Sequence, residues 1–351
     1  MDICNSLQDF LIKSRVTDND LDFFNKNLYE YTNDNLRFEV QNKFSELKEE
    51  GKGKKKTLQF YTKQMQIIWK IVGSQTFEAY SIMFSDKHID SEYHNHRLFY
   101  RGASNDGYEL APGIYRKGEK DENYYYHELQ VRCPNNLSHL KFFNKLTYMQ
   151  HYGAPTRLLD ITSNPLVALY FACNGNFDKD GKVSIFGIKS EDVAYETSDK
   201  VQMLSHLQEL NKEERRLLLI LSYVYLFDEK YPQSIKSKYI YPLIERFYYN
   251  IQKENNAFER NIIPLDMLRP IFVQANQDNP RILKQDGAFI MSGLDLHELD
   301  SDKKIRKHVI KELRIPSSVK RSILAELETI CIHEASLFPE LDTVAQYLRN
   351  K

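Results

Sequence analysis

The sequence has little net charge, few cysteines and no long apolar run, and each shortage excludes a class of protein. Its 351 residues carry a formal net charge of −1, which does not indicate a globally basic nucleic-acid binder, although a local basic patch stays open. The four cysteines form no Cys-x-x-Cys pair, which favours reduced thiols in a cytoplasmic protein. The longest apolar run, residues 217–227, is too short to span a bilayer, and we expect no secretory signal and no membrane partner.

Hydrophobic residues make up 42% of the chain and aromatic residues 13%, enough to bury a sizeable core. Apolar residues recur at helical spacing in the first 50 positions, so we expect residues 1–69 to form an N-terminal helical extension before a main domain at 70–350. The run Lys52 to Lys56 is interpreted as a solvated loop. His94 and His96 share the spacing of a metal pair, but no third ligand motif accompanies them, so we expect no metal.

Residues 145–173 have the most informative pattern in the chain. A Gly- and Pro-containing polar segment leads into a short strand, and Thr162, Ser163 or Asn164 can then cap a helix that begins at Pro165. Apolar positions 166, 169, 170 and 173 predict that this helix buries one face. Polar side chains at a helix N-terminus can hold an anion, but the same residues also cap helices that bind nothing.

Several single residues allow two interpretations from sequence alone. Arg101 ends a predicted buried strand, either as a structural ion-pair partner or as a fork for an anionic ligand such as a diphosphate. Gly102 permits close approach of a ligand or of another backbone. Arg157 and Asp160 are three residues apart and can form a structural clip, and His151 either packs in the interior or serves the site.

The rest of the chain predicts a mixed α+β domain. A strand is predicted at 181–188, a helical insertion at 199–258, and strands at 271–273, 281–283 and 288–290. Two further helices are predicted in 301–350, the first strong one opening at Pro316 and Ser317.

Four blocks in this order resemble the FRG domain, a family named for an aromatic-Arg-Gly motif. They are residues 98–102 (LFYRG), the central block QHYGAPTRLLDITSNPLVALYFA, residues 272–289 and the tail 336–342 (SLFPELD). The resemblance covers roughly residues 70 to 347. One departure is Ile161, where the family usually has Trp, and we interpret it as a packing position.

The order of these motifs is similar to that of ADP-ribosyltransferases of the cholera-toxin-like kind, and implies a mixed sheet with an ADP-ribosyltransferase-like fold. In that arrangement an Arg, a Ser or Thr, and a late Glu surround NAD. The comparison gives a set of candidate catalytic residues: Arg101, His151, Thr162 and Gln285. It gives a second set of candidate ligand contacts: Tyr100, Gly102, Tyr152, Arg157, Asp160, Ser163 and Arg281.

The implied function is a cytoplasmic, bacterial-type enzyme that consumes NAD, as an ADP-ribosyltransferase or an NAD hydrolase, in a toxin or anti-phage setting with a macromolecular target. Its transition state places positive charge on the ribose, so the site needs a carboxylate. Gln285 stands where the transferase Glu is expected and carries no charge, so Asp160, Asp286 or another acid must substitute. Otherwise the chain is a non-catalytic module that binds a nucleotide or a nucleic acid. If one site exists, the four candidate catalytic side chains line a single cleft.

Overall fold

The computed structural model describes residues 1–17, 20, 96–116, 118–227, 241–260, 264–276, 279–294 and 300–350. Eight strands lie in this part of the chain: β1 Asp2–Ile3, β2 His96–Ala103, β3 Leu158–Thr162, β4 Gly181–Lys189, β5 Val193–Tyr195, β6 Ile271–Gln274, β7 Gly287–Met291 and β8 Val309–Ile315. The helices up to the middle of the chain are α1 Leu7–Lys13, α2 Glu122–Arg132, α3 Pro134–Leu137, α4 Phe142–His151, α5 Pro165–Cys173 and α6 Asp199–Ser205. The later helices are α7 Lys212–Phe227, α8 Tyr241–Glu254, α9 Pro280–Lys284, α10 Asp300–Arg306, α11 Lys320–Thr329, α12 Glu334–Leu337 and α13 Leu341–Asn350.

The strands form one mixed sheet in the order β1-β8-β4-β2-β3-β7-β6-β5. Its central pairs are antiparallel, whereas the outer pairs β1–β8 and β5–β6 are parallel. The predicted α+β class with a mixed sheet is therefore confirmed. No helix in the described part of the chain is both long and apolar enough to cross a membrane.

Helix α5 lies at the centre of one face of the sheet because two glycines let its backbone approach the strands. A Cβ on Gly102 of β2 would lie 1.8 Å from the carbonyl oxygen of Ala168, and one on Gly181 of β4 would lie 2.2 Å from that of Ala172. Both distances are far below contact, so only glycine fits. The close approach that Gly102 permits is therefore to the backbone of α5.

Alternation along the strands divides the buried side chains between two faces. The first face carries two clusters side by side: α5 and α11 cover β2, β4 and β8, while helices α4, α6, α7 and α8 cover β3, β6 and β7. The second face carries a smaller cluster that includes Phe99, Ile161 and Phe272. Ile161 is indeed a packing position, 4% exposed. The first face thus has a seam between its two helical groups, along β2 and β3.

Several predicted elements are confirmed and others are corrected. The strand from Gly181, the strand from Ile271 and the helical content of the described parts of 199–258 are confirmed. Helix α5 is buried nearly all round and not on one face. The segment 281–283 belongs to helix α9, because Asn279 caps the helix through a bond from the Arg281 N–H and Pro280 takes its first turn. Strand β8 lies inside the region predicted to hold only helices.

In the described part of the predicted N-terminal extension, β1 pairs with β8 and α1 packs near α11. Most of residues 1–69, the lysine run at 52–56 and His94 lie outside the described residues. The same is true of residues 70–95.

Candidate nucleotide site where two central strands separate

Strands β2 and β3 pair at only one position, Tyr100 with Thr162. Continuing that antiparallel register would place Gly102 opposite Asp160, but the strands separate before this point. The Nη1 group of Arg101 instead donates to the carbonyl oxygen of Asp160, at 2.5 Å. The side chain of Arg101 therefore occupies the gap that the separating strands leave, and its partner there is a neutral carbonyl.

The gap has an unbalanced charge distribution. Burial lowers the pKa of Arg101, the nearby Arg116 lowers it further, and Asp160 acts in the opposite direction. Arg116 is exposed, and the residues that lead into β3 fix its loop, because the Ile114 N–H donates to the carbonyl of Thr156 at 3.1 Å. The carboxylate of Asp160 is exposed on the first face, at the seam. Two guanidinium groups and one carboxylate leave this gap suited to an anion.

Thr162 and Ser163 hold the start of β7 in place. Thr162 Oγ1 donates to the Gln285 carbonyl at 2.7 Å and accepts from the Asn164 N–H at 2.9 Å, so this hydroxyl already donates and accepts hydrogen bonds within the protein. The Ser163 N–H donates to the Asp286 carbonyl at 3.0 Å, and Asn164 Nδ2 donates to the Asp286 carboxylate at 3.1 Å. These bonds hold Asp286 at a left-handed φ of 46°.

Asn164 is the helix cap among the three predicted candidates. Its Oδ1 accepts from the Leu166 N–H at 3.0 Å, and Pro165 occupies the first turn as predicted. Ser163 is exposed, and its hydroxyl lies 3.4 Å from the Asp286 carbonyl.

The turn Leu337–Glu340 contacts three further candidates. Gln285 Nε2 donates to the Leu337 carbonyl at 3.0 Å, the guanidinium carbon of Arg281 lies 4.4 Å from the centre of the Phe338 ring, and His151 Nε2 lies 3.2 Å from Glu340 Oε1. Burial lowers the pKa of His151, Arg281 lowers it too, and Glu340 acts in the opposite direction. The imidazole is therefore neutral at neutral pH.

Tyr152 is the aromatic side chain that stays open to solvent beside this group. It is 70% exposed, and its ring lies 4.8 Å from the His151 ring and 4.7 Å from the Tyr148 ring. It is available to stack on a ligand ring.

Three candidates have structural roles instead. Arg157 is 1% exposed and forms a two-pronged ion pair with Glu122, so the suggested clip with Asp160 is wrong. Tyr100 is 8% exposed and packs in the cluster beneath α5. Gly102 packs against α5, as described above.

The structure brings three of the four candidate catalytic residues to one side of the sheet. The first face carries Thr162, Gln285 and His151. Thr162 bonds to the Gln285 carbonyl, and the turn at 337–340 contacts both Gln285 and His151. Arg101 leaves β2 toward the second face, because its neighbour Gly102 faces α5, and only its guanidinium reaches the strand gap. A single cleft lined by all four stays a prediction.

Sequence reasoning missed Arg116, Glu122 and Glu340. Glu340 carried the best signal, because it lies in the tail block that resembles the family. Arg116 and Glu122 lie in a turn-rich segment and at a helix start, where charged residues are common and no pattern singles them out. Among the described residues, no group of three His, Cys, Asp or Glu side chains is placed to hold a metal ion.

The family model of the FRG domain matches residues 96–181, which run from the start of β2 to the start of β4. No curated protein and no solved structure matches the chain. The matched segment contains Arg101, the central block and the cap of α5, while Gln285 and the 337–340 turn lie beyond it in sequence and against it in space. The chain therefore contains an FRG domain, matched at residues 96–181.

Proposed function

We propose that this chain consumes NAD, as an ADP-ribosyltransferase or an NAD hydrolase, at the gap between β2 and β3. Arg101 binds the diphosphate, Tyr152 stacks on a ring of the ligand, and Asp160 stabilises positive charge on the ribose. The exposed hydroxyl of Ser163 is a contact for the ribose. An ADP-ribosyltransferase-like arrangement of the sheet is part of this proposal.

The observation that carries the proposal is the state of Arg101 in the strand gap. Its guanidinium makes one hydrogen bond to a neutral carbonyl and has a second guanidinium nearby. A fully buried arginine normally meets a carboxylate, as Arg157 meets Glu122 in this protein, whereas Arg101 is only partly buried and its bond in the gap is open to solvent. An arginine held in place without a carboxylate bonded to it has donors to offer to an anionic ligand.

Asp160 is the acid that best fits the role left open by Gln285. Its side chain is exposed at the seam of the first face, and its charge acts on Arg101. Asp286 fits less well, because its carboxylate accepts a hydrogen bond from Asn164 and its carbonyl bonds with Ser163. Breaking the bond between ribose and nicotinamide develops positive charge that a fixed carboxylate stabilises strongly.

The test measures nicotinamide release from NAD, with and without cell lysate as a source of acceptors. Arg101→Lys keeps the charge but loses the planar fork, so NAD binding should weaken by about one to two decades while the melting temperature stays near that of the parent. Asp160→Asn should bind NAD and lose turnover by about two decades or more. Arg132→Lys, at an exposed ion pair of α2, is the matched control and should resemble the parent.

A parent protein that binds NAD but never releases nicotinamide would refute the enzymatic part. Undiminished turnover in Asp160→Asn would refute the role of that carboxylate alone. A toxin or anti-phage effector role adds one expectation, that expression of the parent lowers cellular NAD and slows growth while Asp160→Asn does not.

One observation favours the second candidate, a module that binds a nucleotide or a nucleic acid without turnover. The Gln285 carboxamide is tied to the Leu337 carbonyl, so this position serves as a structural donor and offers no charge. Calorimetric titration with NAD, ADP-ribose and a single-stranded oligonucleotide distinguishes the candidates, because this module should bind at least one of them while releasing no nicotinamide.

A further inference from the structure

His151 and Glu340 lie within ion-pair distance of each other. Imidazole Nε2 lies 3.2 Å from Glu340 Oε1, and the His151 side chain is 15% exposed. The other ring nitrogen, Nδ1, makes no hydrogen bond within the described part of the chain. A neutral histidine with its proton on Nε2, the nitrogen that faces the carboxylate, keeps the lone pair of Nδ1 as its acceptor, so Glu340 favours the tautomer that leaves Nδ1 open.

The second oxygen of Glu340 strengthens this interpretation. Glu340 Oε2 is buried and accepts no hydrogen bond from any described residue. A buried carboxylate oxygen without a donor is costly, so the carboxylate is poorly compensated while His151 is neutral. Protonation of His151 would place a positive charge beside this carboxylate, and the pair therefore favours the imidazolium that forms when a base takes up a proton.

Arg281 favours the neutral form of His151, whereas Glu340 favours the protonated form. It lies on α9 above Phe338 and lowers the pKa of His151, in addition to the larger effect of burial. Tyr152 is the neighbouring ionisable group on the same chain segment, with its ring 4.8 Å from the imidazole. Arg281 and Glu340 are thus the charged groups that act on His151, and together with burial they keep the ring neutral and ready to accept a proton at neutral pH.

We propose that His151 is the general base that deprotonates the acceptor of the ADP-ribosyl group, and that Glu340 is the positioning residue that orients its imidazole. This inference rests on the proposed consumption of NAD. The acceptor is water in a hydrolase, or a hydroxyl or similar nucleophile of a macromolecule in a transferase.

The step balances without an added reactant. The bond between ribose C1′ and the nicotinamide nitrogen breaks, and its electron pair leaves with neutral nicotinamide. The acceptor oxygen forms the new bond to C1′, and its proton moves to His151 Nδ1. The imidazolium then releases that proton to solvent, so NAD and water give ADP-ribose, nicotinamide and one proton.

The experiment measures kcat, KM and their pH dependence for nicotinamide release by the full chain, using NAD with water or lysate as acceptor. His151→Gln should lower kcat by about two decades or more with little change in KM, and the acid limb of the pH profile should disappear. Glu340→Gln should lower kcat by about one decade and shift the acid limb to lower pH, because the carboxylate raises the pKa of His151. Arg281→Gln should shift the same limb to higher pH.

Two matched controls separate these effects from general damage. His139→Gln and Glu334→Gln replace exposed residues of the same types and should leave the pH profile unchanged. Titration of the His151 ring by NMR, assigned with His151→Gln, should show the same two shifts in the absence of NAD.

The outcomes distinguish this inference from the function on which it rests. A parent that releases nicotinamide while His151→Gln keeps its kcat and its acid limb overturns the base but leaves the enzyme standing. A His151→Gln variant that changes KM alone makes His151 a ligand contact and also overturns the base. An acid limb that does not move in Glu340→Gln overturns the role of Glu340, and a parent with no nicotinamide release overturns the enzymatic proposal and this inference together.

Discussion

Removing Arg157 should destabilise the fold more than removing any other candidate site residue. Its guanidinium is 1% exposed, and Nε donates to Glu122 Oε1 at 3.0 Å while Nη2 donates to Oε2. Nη1 donates to the Ser292 carbonyl at 3.2 Å. Arg157→Met keeps much of the volume but leaves the Glu122 carboxylate, 4% exposed, without its partner.

The expected cost follows from the stranded charge. Breaking a buried pair by removing one partner costs about 3 to 5 kcal/mol, because the remaining ion has lost its water and gains nothing in return. At roughly 2 to 4 °C per kcal/mol, this corresponds to a fall in melting temperature of about 6 to 20 °C. Replacing both partners removes the stranded charge, so Glu122→Met combined with Arg157→Met should recover most of the loss.

The assay is urea unfolding of the parent, both single variants and the double variant, with thermal melts as a second measure. The coupling energy of the double-mutant cycle isolates the ion pair from the lost packing and from the bond to Ser292. A single variant that loses less than about 1 kcal/mol would contradict a buried, desolvated pair. So would a double variant whose loss equals the sum of the two single losses.

Three other predictions follow from the described contacts. Gly102→Ala would place a Cβ 1.8 Å from a carbonyl oxygen of α5, so it should lower the free energy of unfolding by about 3 kcal/mol. The control Gly107→Ala, whose nearest contact is 3.2 Å away, should lower it by about 1 kcal/mol or less. Equal melting temperatures of the two variants would contradict the close packing of α5. Burial lowers the pKa of His206, but its hydrogen bond to Glu209 and the carboxylate of Glu254, 3.6 Å from Nε2, raise the pKa overall above its usual 6.5. The contribution of His206 to stability is therefore complete below that pH and is lost as pH rises through the folded pKa. The difference in unfolding free energy between the parent and His206→Gln should therefore shrink as the pH rises above 6.5, and a difference that does not change with pH would refute this. Gln285→Glu replaces the amide donor to the Leu337 carbonyl with a carboxylate, so it should lower the free energy of unfolding by about 1 to 3 kcal/mol at neutral pH. This stability should recover as the pH falls and the new acid is protonated, and the variant should release nicotinamide no faster than the parent. An undiminished melting temperature would show that the hydrogen bond contributes nothing.

The sequence predicted local features well where a few adjacent residues determine the outcome. Asn164 and Pro165 start α5 because an amide oxygen can satisfy a free N–H and proline loses no bond at that position. The strand from Gly181 and the return to strand at Ile271 follow from short β-branched and aromatic runs between turn residues. Helix α9 carries the same Asn-Pro start, but the apolar pair within its five residues suggests a strand from sequence alone. A helix this short leaves too few positions for periodicity to be measured.

The partners of the charged residues could not be predicted, because they come from distant parts of the chain. Arg157 pairs with Glu122, 35 residues away, and not with Asp160. Arg157 directly precedes β3 and Asp160 lies within it, and in extended backbone a three-residue separation does not bring side chains together. Arg101 donates to a backbone carbonyl and not to a carboxylate, and this partner appears only where two strands separate; its role as a fork for an anionic ligand stays a prediction.

The amide at 285 and the carboxylate at 340 are explained by the same turn. The carbonyl of Leu337 points at position 285, and a carboxylate there would face it as a second acceptor, so the fold of the 337–340 turn favours glutamine at that place. Three residues later the turn brings Glu340 to within 3.2 Å of His151, on the same face of the sheet as Gln285 and Asp160. Position 285 carries no negative charge, but the same face of the sheet carries two carboxylates, those of Asp160 and Glu340. The glutamine at 285 favours a non-catalytic module only if no other carboxylate takes the place of the glutamate, because the chemistry depends on where a carboxylate lies in space and not on which strand supplies it.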